Sequence, residues 1–214
     1  MKYHKLVENA KKPNGFWGKM MIKAMNKGHS SLTSWGLEHI NIERTATVLD
    51  IGCGGGKTVD RICSIVANGK VYGIDYSELS VKSSEKLNSK NILCNKAKIL
   101  QASVSDMPFD DNTFDNITAV ETYYFWPDKE NDVKEVFRVL KQGGTVMLLF
   151  EMLRTDDDPF KWEKVENMLN IKSVTPQEIR AVLESAGFEN INTYTKEGTT
   201  WLCATAQKPK DDEN

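Results

Sequence analysis

Two hydrophobic periodicities take turns along this chain. Short continuous apolar runs read as buried strands, and the segments between them return apolar residues every three or four positions, as helices do. Thr47–Ile51 is the first such run. Residues 57–66 follow as a helix with Val59, Ile62, Ile65 and Val66 on one side, stopped by Asn68-Gly69. Residues 71–74 form a second strand, and a helix runs from Ser77 to about Asn88 with Leu79 and Leu87. Ile99-Leu100 begins a third strand. The polar turn Asp110-Asp111-Asn112-Thr113 leads into Phe114–Val120, a central fourth strand. Residues 132–140 carry Val133, Val136, Phe137 and Leu140 at helical spacing, ended by Gly143-Gly144. Residues 145–150 are nearly all apolar, the mark of a strand covered on both faces. Thr175-Pro176-Gln177-Glu178 is a capping box with proline at the first helical position, opening a helix that Gly187 closes. Strands at 191–195 and 200–206 complete the pattern. Strand-helix alternation of this kind predicts an α/β domain with a parallel sheet and crossover helices.

Two segments fall outside the alternation. Residues 1–43 are rich in Met and Trp and predict an N-terminal helical cap or lid, with helices near 18–26 and 34–39. Residues 152–174, with the turn Asp156-Asp157-Asp158-Pro159 and an amphipathic stretch at 160–169, predict an inserted helical segment. Additions of this kind build lids and substrate pockets over a sheet edge. The main domain is expected over 44–207, with a charged, disordered tail at 208–214.

The first strand runs directly into glycine: Val48-Leu49-Asp50-Ile51-Gly52-Cys53-Gly54-Gly55-Gly56. So many glycines cost chain entropy, and the turn needs them for positive φ and for close approach of a ligand. A phosphate-binding P-loop requires a glycine where this chain has Ile51, although Gly56-Lys57-Thr58 would complete it. The dinucleotide fingerprint starting at Gly52 and Gly54 requires its third glycine at Lys57. Both spacings fail by one residue. Asp50 would repel a pyrophosphate and suits a cationic ligand. Asp75, 21 residues after Gly54, ends the second strand, where an acid accepts hydrogen bonds from two ribose hydroxyls; its alternative is a helix N-cap.

Composition narrows the partners. The 214 residues hold 28 Lys+Arg against 30 Asp+Glu, a balance that gives no basic footprint for nucleic acid or an anionic membrane. No apolar run approaches a membrane span, and no signal core follows Met1, so a cytoplasmic protein is expected. Cys53, Cys63, Cys94 and Cys203 are too dispersed for a zinc site or a disulfide framework. Cys53 could be a nucleophile with His29 or His39 as base, or a small residue packed under a ligand.

Further on, Ser103-Val104-Ser105-Asp106-Met107-Pro108-Phe109 precedes Asp110-Asp111-Asn112-Thr113-Phe114-Asp115, and Val139-Leu140-Lys141-Gln142-Gly143-Gly144-Thr145-Val146 precedes the fifth strand. With the glycine loop and Asp75, these segments resemble, in order and spacing over about residues 46–206, the class I S-adenosylmethionine (SAM)-dependent methyltransferases of the type 11 kind. The resemblance implies a Rossmann-like three-layer sandwich with a mostly parallel seven-stranded sheet and an antiparallel C-terminal strand. It implies SAM as cofactor and S-adenosylhomocysteine as product, with Asp50, Gly52, Cys53 and Gly54 around the methionine part. Asp75, Tyr76 and Ser77 then fall at the ribose, and Ser103 and the Val104 amide at the adenine. The family's usual adenine-side acid falls on Ser103 here, a departure that leaves Asp106 in reserve.

After the fourth strand the chain reads Glu121-Thr122-Tyr123-Tyr124-Phe125-Trp126-Pro127-Asp128, at the sheet edge where the methyl group is expected. The Asn/Asp-Pro-Pro-Tyr sequence of amino-group methyltransferases acting on nucleobases or glutamine is absent, and so is the Pro-Cys of cytosine-C5 enzymes. Glu121, also placed against the cofactor, and Tyr123 are catalytic candidates with His29, whose imidazole titrates near neutrality. Tyr123, Tyr124, Trp126 and Trp35 are expected against the acceptor; the alternative for each ring is core packing. With no metal cluster evident in the sequence, metal-independent transfer is expected; the charge balance and a lidded site suit a small-molecule acceptor, and a monomer or homodimer is expected. The alternatives are a non-catalytic SAM- or nucleotide-binding protein and, against the failed glycine spacing and Asp50, a nicotinamide dehydrogenase.

Overall fold

The structure, a computed structural model, describes Pro13, Gly15, Gly18, residues 20–22 and residues 28–210. Most of the helix expected at 18–26, and the end of the tail at 211–214, lie outside the described residues.

Seven strands form one sheet: β1 (Thr47–Ile51), β2 (Lys70–Asp75), β3 (Ala97–Gln101), β4 (Phe114–Val120), β5 (Leu140–Phe150), β6 (Glu189–Thr195) and β7 (Leu202–Gln207). Their order is β3-β2-β1-β4-β5-β7-β6. Strands β1 to β5 pair in parallel; β7 runs antiparallel to both β5 and β6. This is the Rossmann-like, mostly parallel sheet that the sequence implied. The chain leaves β1 toward β2 on one side and enters β4 on the other, so the carboxyl ends of β1 and β4 flank a topological switch point, where ligands of open α/β sheets bind.

The helices are α1 (Ser30–Leu37), α2 (Lys57–Ile65), α3 (Glu78–Leu87), α4 (Ser89–Leu93), α5 (Lys129–Val139), α6 (Glu163–Leu169) and α7 (Pro176–Ser185). Successive strand residues point to opposite faces, and β5 sorts the core accordingly. Val146, Leu148 and Phe150 join the cluster under α5 and α7; Met147 and Leu149 join the one under α1. Helices α2 and α3 close the same face as α1 over Val48 and Val71. Glycine lets α1 approach: a Cβ on Gly36 would lie 2.6 Å from Leu149 Cδ2.

Several boundaries differ from expectation for local reasons. Helix α5 begins at Lys129 because the Asp128 side chain accepts from Asn131 N at 3.3 Å, an N-cap that apolar spacing does not register. Strand β5 starts at Leu140, because Phe114 pairs with Leu140 before the register shifts to Asn116 and Thr145. The capping box is present as read: Glu178 N donates to Thr175 Oγ1 at 3.2 Å and Thr175 N to Glu178 Oε2 at 2.9 Å. Lys208, read as the start of a loose tail, is buried instead. Its ammonium donates to Asn112 Oδ1 and Phe137 O, both at 2.8 Å, and lies 4.6 Å from the Phe137 ring centre.

Candidate active site

A cavity of about 570 Å³ opens at the carboxyl ends of β1, β2 and β4. Its floor is the glycine loop. Gly52, Gly54 and Gly56 all have positive φ, at 67°, 51° and 80°. A Cβ on Gly52 would strike the Thr122 side chain, with Thr122 Cβ at 2.7 Å, and one on Gly56 would come within 2.8 Å of Ser84 Cα. Gly54 differs: an added Cβ there would meet only Gly52 O, at 4.0 Å, so this residue leaves the loop open toward the cavity.

Two buried acids stand beside the loop. Asp75 accepts from Gly54 N through Oδ2 at 2.9 Å and from Ser77 N through Oδ1 at 2.8 Å. The Ser80 side chain is a third hydrogen-bonding partner of this carboxylate. Burial nevertheless raises the Asp75 pKa, the two backbone bonds and the Ser80 side chain acting against it. Asp50 accepts from Thr118 Oγ1 at 2.7 Å; burial pushes it up to about 7, against that hydrogen bond and with help from the Asp75 charge. A cation nearby would pull both carboxyls down.

At the other end of the cavity lies Glu121, directly after β4. It adopts φ 59°, a left-handed conformation costly for a residue with a side chain, and its amide still donates to Leu149 O at 2.9 Å. Its carboxylate accepts from Glu151 N and faces the Tyr124 hydroxyl at 3.5 Å; that hydroxyl accepts from Met152 N at 3.0 Å. Burial pushes Glu121 up to about 8, and the Glu151 charge adds to the shift. His29 stands opposite, Nε2 3.9 Å from Glu151 Oε2. Burial lowers the His29 pKa, with Glu151 opposing, so the imidazole is biased toward its neutral form. One ligand atom from each of His29, Glu121 and Glu151 lies within 4.8 Å of the others.

Most of the sequence candidates converge here. His29, Asp50, Gly52, Cys53, Gly54, Asp75, Tyr76, Ser103, Val104, Glu121, Tyr124 and Trp126 all line the cavity. Three candidates and the reserve do not. Ser77 is turned to its helix, accepting from Ser80 N at 3.4 Å while its hydroxyl donates to Pro13 O at 3.0 Å. Tyr123 is buried between Trp126 and Phe150, ring centres at 5.2 and 5.6 Å. Trp35 packs on the opposite face of the sheet, beside His39 and Trp201. Asp106 is likewise outside the lining.

Cys53 is buried, bonded to Ser84 Oγ at 3.8 Å, and desolvation raises its thiol pKa well above the usual value, the opposite of what a nucleophile needs. His39 stacks on Tyr194 at 4.1 Å and is no partner for it.

The sequence reading missed Phe125, Asn170, Ile171 and Arg61 in the cavity lining, and Glu151, exposed beside Glu121. Glu151 was legible as the residue after β5, at the same sheet edge as Glu121. Asn170 and Ile171 reach the cavity because the 152–174 segment is strapped down. Leu153 bridges Val174, Arg154 donates to Ser173 O at 2.9 Å, and Glu166 Oε1 accepts from Ser173 N at 2.7 Å. Arg61 ties α2 to the start of α1, donating to Ser30 O at 2.8 Å and Ser30 Oγ at 3.0 Å. Among the described residues no helix is long and apolar enough to cross a membrane.

Comparison with known proteins gives the following likenesses. Residues 49–148 match the family described as a methyltransferase domain. An uncharacterized methyltransferase of Bacillus subtilis, YdaC, is 27% identical over 183 residues, 85% of this chain and 93% of that protein. The ubiquinone/menaquinone biosynthesis C-methyltransferase UbiE of Cronobacter sakazakii is 31% identical over 181 residues, 73% of this chain and 72% of that one. A chain of the solved complex between the Haloferax volcanii Trm112 methyltransferase activator and the putative methyltransferase superposes with TM-score 0.74. That match has 19% identity and covers 88% of this chain and 93% of that chain.

Proposed function

The chain belongs to the class I SAM-dependent methyltransferases, and on that premise we propose that its acceptor is a small molecule held at the Glu121 end of the cavity. The observation that carries this reading is continuity. One cavity runs from Asp75 and Tyr76, past the glycine loop, to Glu121, Tyr124 and His29.

The residues present fit the cofactor. The face at Gly54 is open, leaving room that the cofactor would fill, and the loop is joined to Asp75 by a direct hydrogen bond. When bound, SAM supplies a methyl carbon activated by a positive sulfur. Asp75 would accept from the ribose hydroxyls, Ser103 and Val104 would border the adenine, and Asp50 would sit near the cationic methionine part. Glu121, Tyr124 and His29 would face the acceptor. Residues 28–37 and 152–174 would form the walls that keep water out. Orientation of a nucleophile in such a site is worth about 7–11 kcal/mol in favourable cases. His29, biased toward neutrality, and Glu121 are the groups placed to take a proton from the acceptor.

Calorimetry with S-adenosylhomocysteine, SAM and NAD tests the cofactor. Binding of the first two without NAD is expected; the reverse pattern defeats the reading. Release of S-adenosylhomocysteine from SAM on addition of a fractionated metabolite mixture then tests the small acceptor.

A further inference from the structure

We infer that the acceptor is an amine that arrives as an ammonium ion, bound where Glu121 and Glu151 converge with His29 beside the rings of Tyr124 and Phe125. The inference rests on the methyl-transfer reading above and names the substrate class of that site.

Charge selects among the acceptors. Two carboxyl groups, the exposed Glu151 at the rim and Glu121 in the wall, whose ionised form a bound cation would favour, meet a histidine biased toward neutrality at this end. A carboxylate, phosphate or phenolate acceptor would be repelled there, and an alcohol would leave the carboxylates without a counter-charge. The cations in the cavity wall do not supply one. Lys57 is paired with Asp60 at 3.0 Å, and Arg61 is committed to Ser30. An ammonium meets both carboxyl groups and presents its C–H shell to the aromatic faces, whose quadrupoles attract a cation. It also arrives beside a sulfonium. Two cations brought together repel, and two carboxylates at one spot offset that repulsion.

The chemistry needs a base as well as a counter-charge, because a protonated nitrogen has no lone pair. The ammonium gives one proton to the Glu121 carboxylate. The freed lone pair forms a nitrogen–carbon bond to the methyl group as the carbon–sulfur bond breaks, its electron pair remaining on sulfur. A methylated ammonium and a neutral sulfide result, with one proton on Glu121 that returns to water past Glu151 and His29. The groups facing Glu121 are Glu151, His29 and the Tyr124 hydroxyl. Burial that favours the protonated carboxyl makes Glu121 a stronger base once a neighbouring cation has ionised it.

The test is calorimetry on protein saturated with S-adenosylhomocysteine. The probes are phenethylamine, tyramine and cadaverine, each against the alcohol of the same skeleton, with and without magnesium or manganese. At least one amine is expected to bind about tenfold more tightly than its alcohol. Glu151→Gln is expected to erase most of that preference while leaving S-adenosylhomocysteine affinity unchanged; Glu121→Gln is the second variant. Equal binding of alcohols, no binding of any amine, or a preference that survives both variants overturns the inference. So does amine binding that requires the metal, which would make the three side chains a cation site. Failure of S-adenosylhomocysteine itself to bind is a separate result that removes the methyltransferase reading beneath it.

Discussion

Gly54 donates its backbone amide to Asp75 Oδ2 at 2.9 Å, joining the loop after β1 to the tip of β2. The bond couples the two halves of the proposed cofactor site. Asp75→Ala should therefore do more than remove a ribose contact. Leaving a buried N–H unpaired costs about 1–3 kcal/mol. Both urea stability and S-adenosylhomocysteine affinity are expected to fall, the latter by about tenfold or more. Calorimetry showing undiminished affinity would remove Asp75 from the site.

Gly52 cannot carry a side chain. Its φ of 67° and the nearby Thr122 side chain oppose any Cβ. Gly52→Ala should cost about 1–3 kcal/mol from crowding and the left-handed backbone. Thr122→Ser removes the methyl group in the way, so the double variant should recover part of the loss in equilibrium urea denaturation. No recovery would mean that the backbone alone sets the cost.

Acid stability reports the raised carboxyls of Asp50 and Glu121, with burial raising Asp75 as well. Asp50 is pushed up to about 7 and Glu121 to about 8, so the folded protein holds protons that the unfolded chain has already released. Their contribution is fully present below the ordinary carboxylate range and is lost as pH rises toward about 8. Ligand-free protein should lose denaturant stability across that window, and Asp50→Asn and Glu121→Gln should each flatten the loss. Stability rising with pH there in both variants and wild type would contradict the burial assigned to these groups.

Thiol labelling tests the environment of Cys53. Of four cysteines, only Cys94 is exposed; Cys53, Cys63 and Cys203 are buried. One thiol per chain should react rapidly in the native state and four in denaturant. Cys53→Ala should keep methyl transfer measurable, since the buried thiol is not a nucleophile. Its complete loss, with folding and S-adenosylhomocysteine binding intact, would reopen that role.

Lys208 is the most consequential side chain that composition concealed. Its ammonium closes on Asn112 and on the end of α5. Lys208→Ala should destabilise by about 1–3 kcal/mol, read by denaturation, because the Phe137 carbonyl and the Asn112 side chain lose a charged donor.

The parts legible in advance were those that local chemistry encodes. Thr47–Ile51 and Phe114–Val120 are strands at the positions their apolar runs indicate. The Thr175 capping box lies within four residues, and the glycines of the loop declare their backbone by having no Cβ. Glu121 and His29 were legible as residue types suited to chemistry. Trp35 and Tyr123 misled because an aromatic ring serves a core and a binding site equally well. Nothing within a few residues of either says which face of the sheet it meets.

The sequence by itself therefore determined the order of strands and helices, the glycine loop with its two acids, and through their spacing the family. Tertiary structure alone decided which of the functional side chains share a space. Glu121 and Glu151 are 30 residues apart, and parallel pairing of β4 with β5 puts them at one edge, joined through the Glu151 amide. The raised pKa of Glu121, which desolvation causes, depends on walls contributed by distant segments, while Glu151 stays exposed beside it. A local pattern carries no record of such walls, because burial and long-range charge are properties of the packed chain.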